Sequence, residues 1–186
     1  KAASLGQARK LTVASRTAGN VAVGRRWLID AASNGFECDV VESDFAASLL
    51  NRDWRHLQPV SGTIVLWSEV KTFSAIADGR ALDRFIDSYL TKLRHHLGLV
   101  YHRLLAAKKV EIALDVEDVS VGEVGLPFAV EPIDPFGYVR SGRPDYPRIF
   151  KSSWRGKPIE LSCHIWPGRS NHSNFKLAGG RPEPHQ

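Results

Sequence analysis

At 186 residues, with 43% hydrophobic and 24% charged side chains, the chain can bury a core as one large domain or two small ones, and its composition excludes a fibrous or disordered protein. The net charge of +5 permits contact with phosphate without requiring it, because the basic residues are spread out and gather only in the short pairs Arg25-Arg26 and Lys108-Lys109. No apolar run approaches the ~20 residues of a membrane span, and the longest, from Leu97 to Ala107, is broken by His102 and Arg103. There is no basic-then-apolar leader, and Cys38 and Cys163 match no metal or redox spacing, so a cytoplasmic protein without a membrane partner is expected.

In chain order, Lys1 to Gln7 is small and helix-tolerant, and Leu11 to Ser15 has strand composition. Thr17-Ala18-Gly19-Asn20 supplies a turn, and Val21 to Asp30 follows as a second strand with Val21, Val23, Trp27 and Ile29 on alternate positions. Asn34-Gly35 is the strongest turn signal. After it a third strand is predicted over Phe36 to Val41, with Phe36, Cys38 and Val40 on one face. Residues 44 to 50 suit a short helix. Gly62-Thr63-Ile64-Val65-Leu66-Trp67 is a continuous apolar run, predicted as a central strand.

A long helix is predicted next, because Ile86, Leu90, Leu93, Leu97, Val100 and Leu104 step by four and three residues. Asp83 and Asp87 in its early turns, with Arg103 and Lys108 near its end, suit the helix dipole. Lys109 to Leu114 alternates as a half-buried strand, completing a strand, long helix, strand order. Residues 132 to 158 are rich in proline and glycine and read as a long ordered loop or an insertion. Ile159 to Trp166 alternates again, with Ile159, Leu161, Cys163 and Ile165 predicted inward and His164 outward. The chain starts at Lys1 without methionine and runs out through Pro182-Glu183-Pro184-His185-Gln186 as if in mid-loop, which suggests a piece of a longer protein.

Several chemistries find little support. His95-His96 and His102 lie on the predicted long helix with no pair four apart, so one helical face does not present two metal ligands. No Gly-x-Ser-x-Gly elbow is present, and neither cysteine has a base nearby in sequence. Asp115, Glu117 and Asp118 read as a hydrated turn.

The order of segments resembles the GHKL ATPases, the superfamily of gyrase, the MutL repair proteins, the ninety-kilodalton heat-shock chaperone and the MORC proteins. Lys1-Ala2-Ala3-Ser4 followed by Gln7 and Arg9-Lys10-Leu11-Thr12-Val13 is similar to the segment just after that superfamily's second glycine box, in its prokaryotic MORC-like form. Gly62-Thr63 opening an apolar strand looks like its third box. Phe85 to Tyr101, Lys109 to Leu114 and Val130-Glu131-Pro132-Ile133-Asp134-Pro135-Phe136 are similar to its transducer segment. Trp166-Pro167-Gly168-Arg169-Ser170-Asn171 and Phe175-Lys176-Leu177-Ala178-Gly179-Gly180 match the loop that follows. The glutamate that activates water, the asparagine that holds magnesium and the aspartate that reads adenine have no counterpart, and the resemblance puts them upstream of Lys1.

The resemblance implies an α/β (α+β) protein. Residues 1–70 would be the C-terminal part of a Bergerat-type ATP-binding sheet, and residues 71–186 a transducer domain of βαβ type with one long helix, incomplete at its C-terminal end. Lys1 and Ser4 would touch phosphate, while Gly62 and Thr63 would sit at adenine, the Thr63 hydroxyl donating and accepting through a water. Arg169 or Lys176, supported by Ser170 and Asn171, would sense the γ-phosphate. The intact parent would bind ATP with Mg²⁺, hydrolyse it, close into a homodimer and act on DNA or a protein client. This chain alone would be inactive and bind no nucleotide tightly, and it would hold no metal. Two other readings are a nucleic-acid-binding βαβ module without enzymatic activity, which requires basic residues on one sheet face, and a structural dimerisation domain indifferent to nucleotide.

Overall fold

The computed structural model describes residues 2–28, 37–52, 59–71, 78–118, 121–138 and 141–181 of a mixed α/β protein. The chain divides into two units, Lys1–Asp83 and Arg84–Gln186.

In unit 1, α1 (Ala2–Gln7) runs without a break into β1 (Ala8–Arg16), followed by β2 (Val23–Leu28), β3 (Asp39–Val41), α2 (Ser43–Leu50) and β4 (Gly62–Val70). The four strands form one antiparallel sheet in the order β3-β2-β1-β4. The predicted turn between β1 and β2 is present: Asn20 N donates to Thr17 O at 3.1 Å, and Gly19 takes a φ of 77°, which costs glycine nothing. Register sets Leu11 opposite Trp27 and Trp67, and Ala14 opposite Gly24 and Ile64. Because successive strand residues alternate faces, these are two different faces.

Ala14 and Val41 lie on the face that α2 covers with Ala46 and Leu50, and Ala22 completes this core. Small residues here let the helix approach closely. Gly24 is required for that approach, because a Cβ there would lie 2.8 Å from Val41 Cβ. On the other face Leu11 and Trp27 are buried with Val13 packed beside them, while Val21 and Val23 are exposed.

Two predictions in this unit are corrected. On β3 the buried residue is Val41, 7% exposed, whereas Val40 is 73% exposed and Cys38 is also exposed. Pairing of Val41 with Gly24 and of Val40 with Arg25 fixes that face, and a one-residue shift of phase inverts it. The Asn34-Gly35 turn, Phe36 and Ile29 lie outside the described residues. The second correction is that β4 stands at the end of the sheet and not at its centre, with Val65, Leu66 and Trp67 exposed. An unbroken apolar run is the pattern of a strand covered on both faces, but here it belongs to an edge strand.

The long helix α3 (Gly79–Val100), which lies in unit 2 from Arg84 onward, stops at Tyr101 and restarts as α4 (His102–Ala106). Ile86, Leu90, Leu93 and Leu97 are half-buried as predicted. Val100 and Leu104 are exposed instead of inward, and Leu105 is buried in their place. The break at Tyr101 shifts the helical phase, so a stripe counted straight through it picks Leu104 in place of Leu105; Val100 precedes the break, and its exposure has no such cause. Asp83 falls beyond the first turn of α3, and Arg103 lies in the last turn of α4. At Gly98 another segment packs directly on α3: Ile133 N donates to Gly98 O at 3.1 Å, and a Cβ would meet Glu131 O at 2.6 Å.

The strands of unit 2 occur in separate pairs: β5 (Ala113–Leu114) with β8 (Phe128–Ala129), β6 (Glu117–Asp118) with β7 (Glu123–Val124), and β9 (Arg148–Trp154) with β10 (Lys157–Cys163). Lys109 to Leu114 therefore shrinks to two paired residues, because β8 offers only two partners, although Ile112 and Leu114 remain the half-buried positions. β4 and β5 belong to different sheets, so the strand-helix-strand order does not close into a βαβ pair among the described residues. The predicted loop over 132–158 contains β9. Ile159 and Leu161 of β10 are exposed where an inward face was predicted, while Cys163 and Ile165 are half-buried. The chain then forms α5 (Ser173–Leu177). Among the described residues no helix is long and apolar enough to cross a membrane.

Candidate functional site

Gly62 and Thr63 open β4 opposite Arg16 and Ser15 of β1. Ser15 Oγ donates to Gly62 O at 3.2 Å and lies 2.8 Å from Thr63 Oγ1. A serine has one hydroxyl proton, so a single consistent relay results: Thr63 donates to Ser15, which donates to the Gly62 carbonyl. Thr63 is exposed, and its lone pairs stay available to accept from outside. Beside it, Arg16 Nη1 donates to Asn51 Oδ1 at 2.9 Å and Nη2 to Pro59 O at 2.9 Å, which fixes a cation at the same end of the sheet. Ser15, Arg16 and Asn51 were not singled out in the sequence. For Ser15 and Arg16 the signal was the length of β1, which carries the ladder two residues past Ala14 to the Gly-Thr pair; Asn51, the C-cap of α2, had none.

Ser4 is half-buried in α1, and Lys1 lies outside the described residues. The C-terminal end of α1 is tied to the far end of β4, where Lys71 N donates to Gln7 O at 3.0 Å. From Ala8 to Ser15 the strand covers roughly 23 Å at ~3.3 Å per residue. Ser4, about one helical turn back from Ala8, is thus on the order of 12 Å or more from Thr63. The two predicted contact residues share one unit but not one contact point. Only a ligand with separated groups would reach both.

Arg169 and Lys176 are exposed in unit 2. The segment carrying them is closed on itself: Phe175 is buried against the Trp166 ring, with centroids 5.2 Å apart, and Ser170 N donates to Arg181 O at 3.0 Å. Gly180 N donates to Phe175 O at 2.8 Å and Gly179 N to Lys176 O at 3.0 Å, with Gly179 at φ 89°, which is a Schellman termination of α5. The Ala178-Gly179-Gly180 run thereby has a structural cause: a Cβ on Gly180 would lie 2.2 Å from the Phe175 ring. Ser170 Oγ accepts from His172 N at 3.2 Å, so it supports the loop locally.

His102 and His164 engage neighbours, whereas the buried Nδ1 of His172 has no hydrogen-bond partner among the described residues. His102 Nδ1 lies 2.7 Å from Leu99 O and its Nε2 3.8 Å from Asp134. His164 corrects the outward prediction: it is half-buried, its ring tilted against Phe136 with centroids 4.2 Å apart, and its Nδ1 lies 3.0 Å from the Tyr138 hydroxyl. Among the described residues no group of three His, Cys, Asp or Glu is arranged to hold a metal ion. The predicted turn at Asp115, Glu117 and Asp118 is corrected: Glu117 and Asp118 form β6, paired with Val124 and Glu123, and Asp115 Oδ1 accepts from Val116 N at 2.8 Å just ahead of it. Arg25 and Arg26 are consecutive in β2 and so point to opposite faces, which does not make one basic sheet face. Arg26 bonds Thr12 Oγ1 at 3.3 Å and lies over the Phe45 ring.

No family model, curated protein or solved structure matches the chain.

Proposed function

We propose that this chain belongs to an ATP-driven conformational switch of GHKL type, supplying the end of the nucleotide-binding sheet and the domain that senses the nucleotide. The observation that carries the reading is the Thr63–Ser15–Gly62 relay at the opening of β4. It commits the Thr63 proton to Ser15, so in place of the donating and accepting role expected of it Thr63 is an oriented acceptor at the exposed end of the sheet, able to accept from a water that bridges to a base edge. The nearby Arg16, held by Asn51 and Pro59, adds fixed positive charge. The separation of Ser4 from Thr63 matches a ligand whose base and phosphates lie at opposite ends.

In this reading Gly62 and Thr63 address adenine, while Lys1 and Ser4 address phosphate. ATP and Mg²⁺ are held jointly with glutamate, asparagine and aspartate groups upstream of Lys1. Arg169 or Lys176 meets the γ-phosphate, and Lys176 is the better held because it sits in the capped α5. A cation that touches ATP and not ADP gives the ligand a differential affinity for closed and open states, the condition for any switch. Closure then favours homodimerisation of the parent around DNA or a protein client.

The test is calorimetric titration of a non-hydrolysable ATP analogue with Mg²⁺ into a chain extended upstream of Lys1. Binding at one site per chain is expected, weakened about tenfold in Thr63→Val, the cost of one hydrogen bond lost at a ligand. An extended chain that binds no nucleotide would contradict the assignment.

A further inference from the structure

The 22 residues of α3 bury a single one, Gly98, whereas the eight of α2 bury two, Ala46 and Leu50. Ile86, Leu90, Leu93 and Leu97 are only half-buried, and Tyr89 and Val100 beside them are exposed. The Glu131–Ile133 segment packs at Gly98, about 100° round the helix from Leu97, and so does not lie over the stripe. An amphipathic helix draws most of its stability in water from covering its apolar face, and here much of that face is left open.

We infer that a second copy of the chain covers it, two α3 helices pairing antiparallel about a two-fold axis without any nucleotide. The stripe advances by four, three and four residues, the spacing of a coiled-coil seam. A two-fold pair then sets Leu90 against the partner's Leu93 and Ile86 against the partner's Leu97. Charge selects this occupant and this direction. Asp87 and Arg94 flank the stripe on one side, seven residues and about 10 Å apart along the helix, too far to pair with each other. Both are exposed, and neither has an ion-pair partner among the described residues. Antiparallel pairing in this register brings Asp87 beside the partner's Arg94 and Arg94 beside the partner's Asp87, one contact made twice. On the other flank Tyr89 and His96 meet in the same way, so the pair brings no like charges together. In a parallel pair Asp87 would face the partner's Leu82 and Arg94 the partner's Tyr89, and neither charge would find its opposite.

The seam is short, because Asp83 ends it on one side and the break at Tyr101 on the other. It covers on the order of 400 Å² per copy against the ~800 Å² of a stable dimer, so the pair is weak and reversible. The polar side of α3 mixes Asp83 and Asp87 with Arg84, Lys92 and Arg94, unlike the basic face of a helix that lies on a membrane. The seam residues all belong to unit 2, and the inference does not rest on nucleotide binding by unit 1.

The test is sedimentation equilibrium of the purified protein without nucleotide. A monomer–dimer equilibrium is expected, with a midpoint of about 10–500 µM. Asp87→Arg or Arg94→Asp alone should weaken it about tenfold, because each turns two attractions into two repulsions. Both substitutions in one chain should restore the dimer, and mixing the two single variants should give a heterodimer tighter than either homodimer. These changes touch only exposed side chains, and the restored and mixed dimers need a folded protein. A chain still monomeric at about 1 mM would overturn the proposal. So would a dimer indifferent to the two charge changes, or a combined variant no tighter than the single ones. A dimer that forms only with an ATP analogue, or a monomer that binds anionic phospholipid vesicles through α3, would also count against it.

Discussion

In unit 1, β1 is hydrogen-bonded along both edges and α2 closes one face of the sheet, so each residue of that core is held by partners distant in sequence. In unit 2 no strand has more than one strand partner among the described residues, and the longest pairing, β9 with β10, leaves its apolar face open. Unit 2 derives its order from local devices, the capped α5 and the turn at Arg155-Gly156, together with single long-range bonds such as Ile133 N to Gly98 O. A sheet with a covered face resists change at any single rung. A set of separate hairpins stands or falls with particular residues. The comparison sets the doubly paired sheet that carries Thr63 in unit 1 against a hairpin in unit 2 whose apolar face is exposed.

The largest effect should come from Leu50→Ala, which empties the centre of the α2–sheet core and should cost unit 1 about 2–5 kcal/mol in denaturant unfolding. Loss of stability confined to α2, with the sheet intact by hydrogen exchange, would break the picture of one cooperative unit. Gly98→Ala should destabilise unit 2 by about 1–3 kcal/mol, because the added methyl meets the Glu131 carbonyl and backbone cannot step aside as a side chain can. A neutral result there would mean that α3 is not held against the Glu131–Ile133 segment. The smallest change is a gain: Arg155→Asn suits the left-handed first turn position and should stabilise the hairpin by a few tenths to about 1 kcal/mol, read as a higher melting temperature. If melting falls instead, the stacking of Arg155 on Trp154 outweighs the backbone term.

Most elements that rest on local chemistry were legible in the sequence. The turn at Thr17–Asn20, helix α2, the strands β1 and β2 and the half-buried stripe of α3 follow from turn residues and periodicity alone. What failed depended on partners. Val40 and Val41 exchange faces because Gly24 leaves room for only one of them, a fact of register across two strands. β4 reads as a central strand because its apolar run cannot report which edge remains unpaired. Ile159 and Leu161 alternate like core residues, and alternation cannot say whether anything covers them. At the candidate site Gly62 and Thr63 stood out as a pair, but Arg16, Ser15 and Asn51 become visible only once the ladder brings them to Thr63.

The central claim is that nucleotide is read at the opening of β4 and that its state is relayed. It is tested most directly by hydrogen exchange on the upstream-extended chain, comparing a non-hydrolysable ATP analogue, ADP and no ligand, each with Mg²⁺. The account predicts protection at Gly62–Ile64 and along α1 with either nucleotide, and added protection around Arg169–Lys176 with the ATP analogue alone. Exchange at Thr63 unchanged by both nucleotides, or identical protection of the Arg169–Lys176 segment by ATP analogue and ADP, would contradict it.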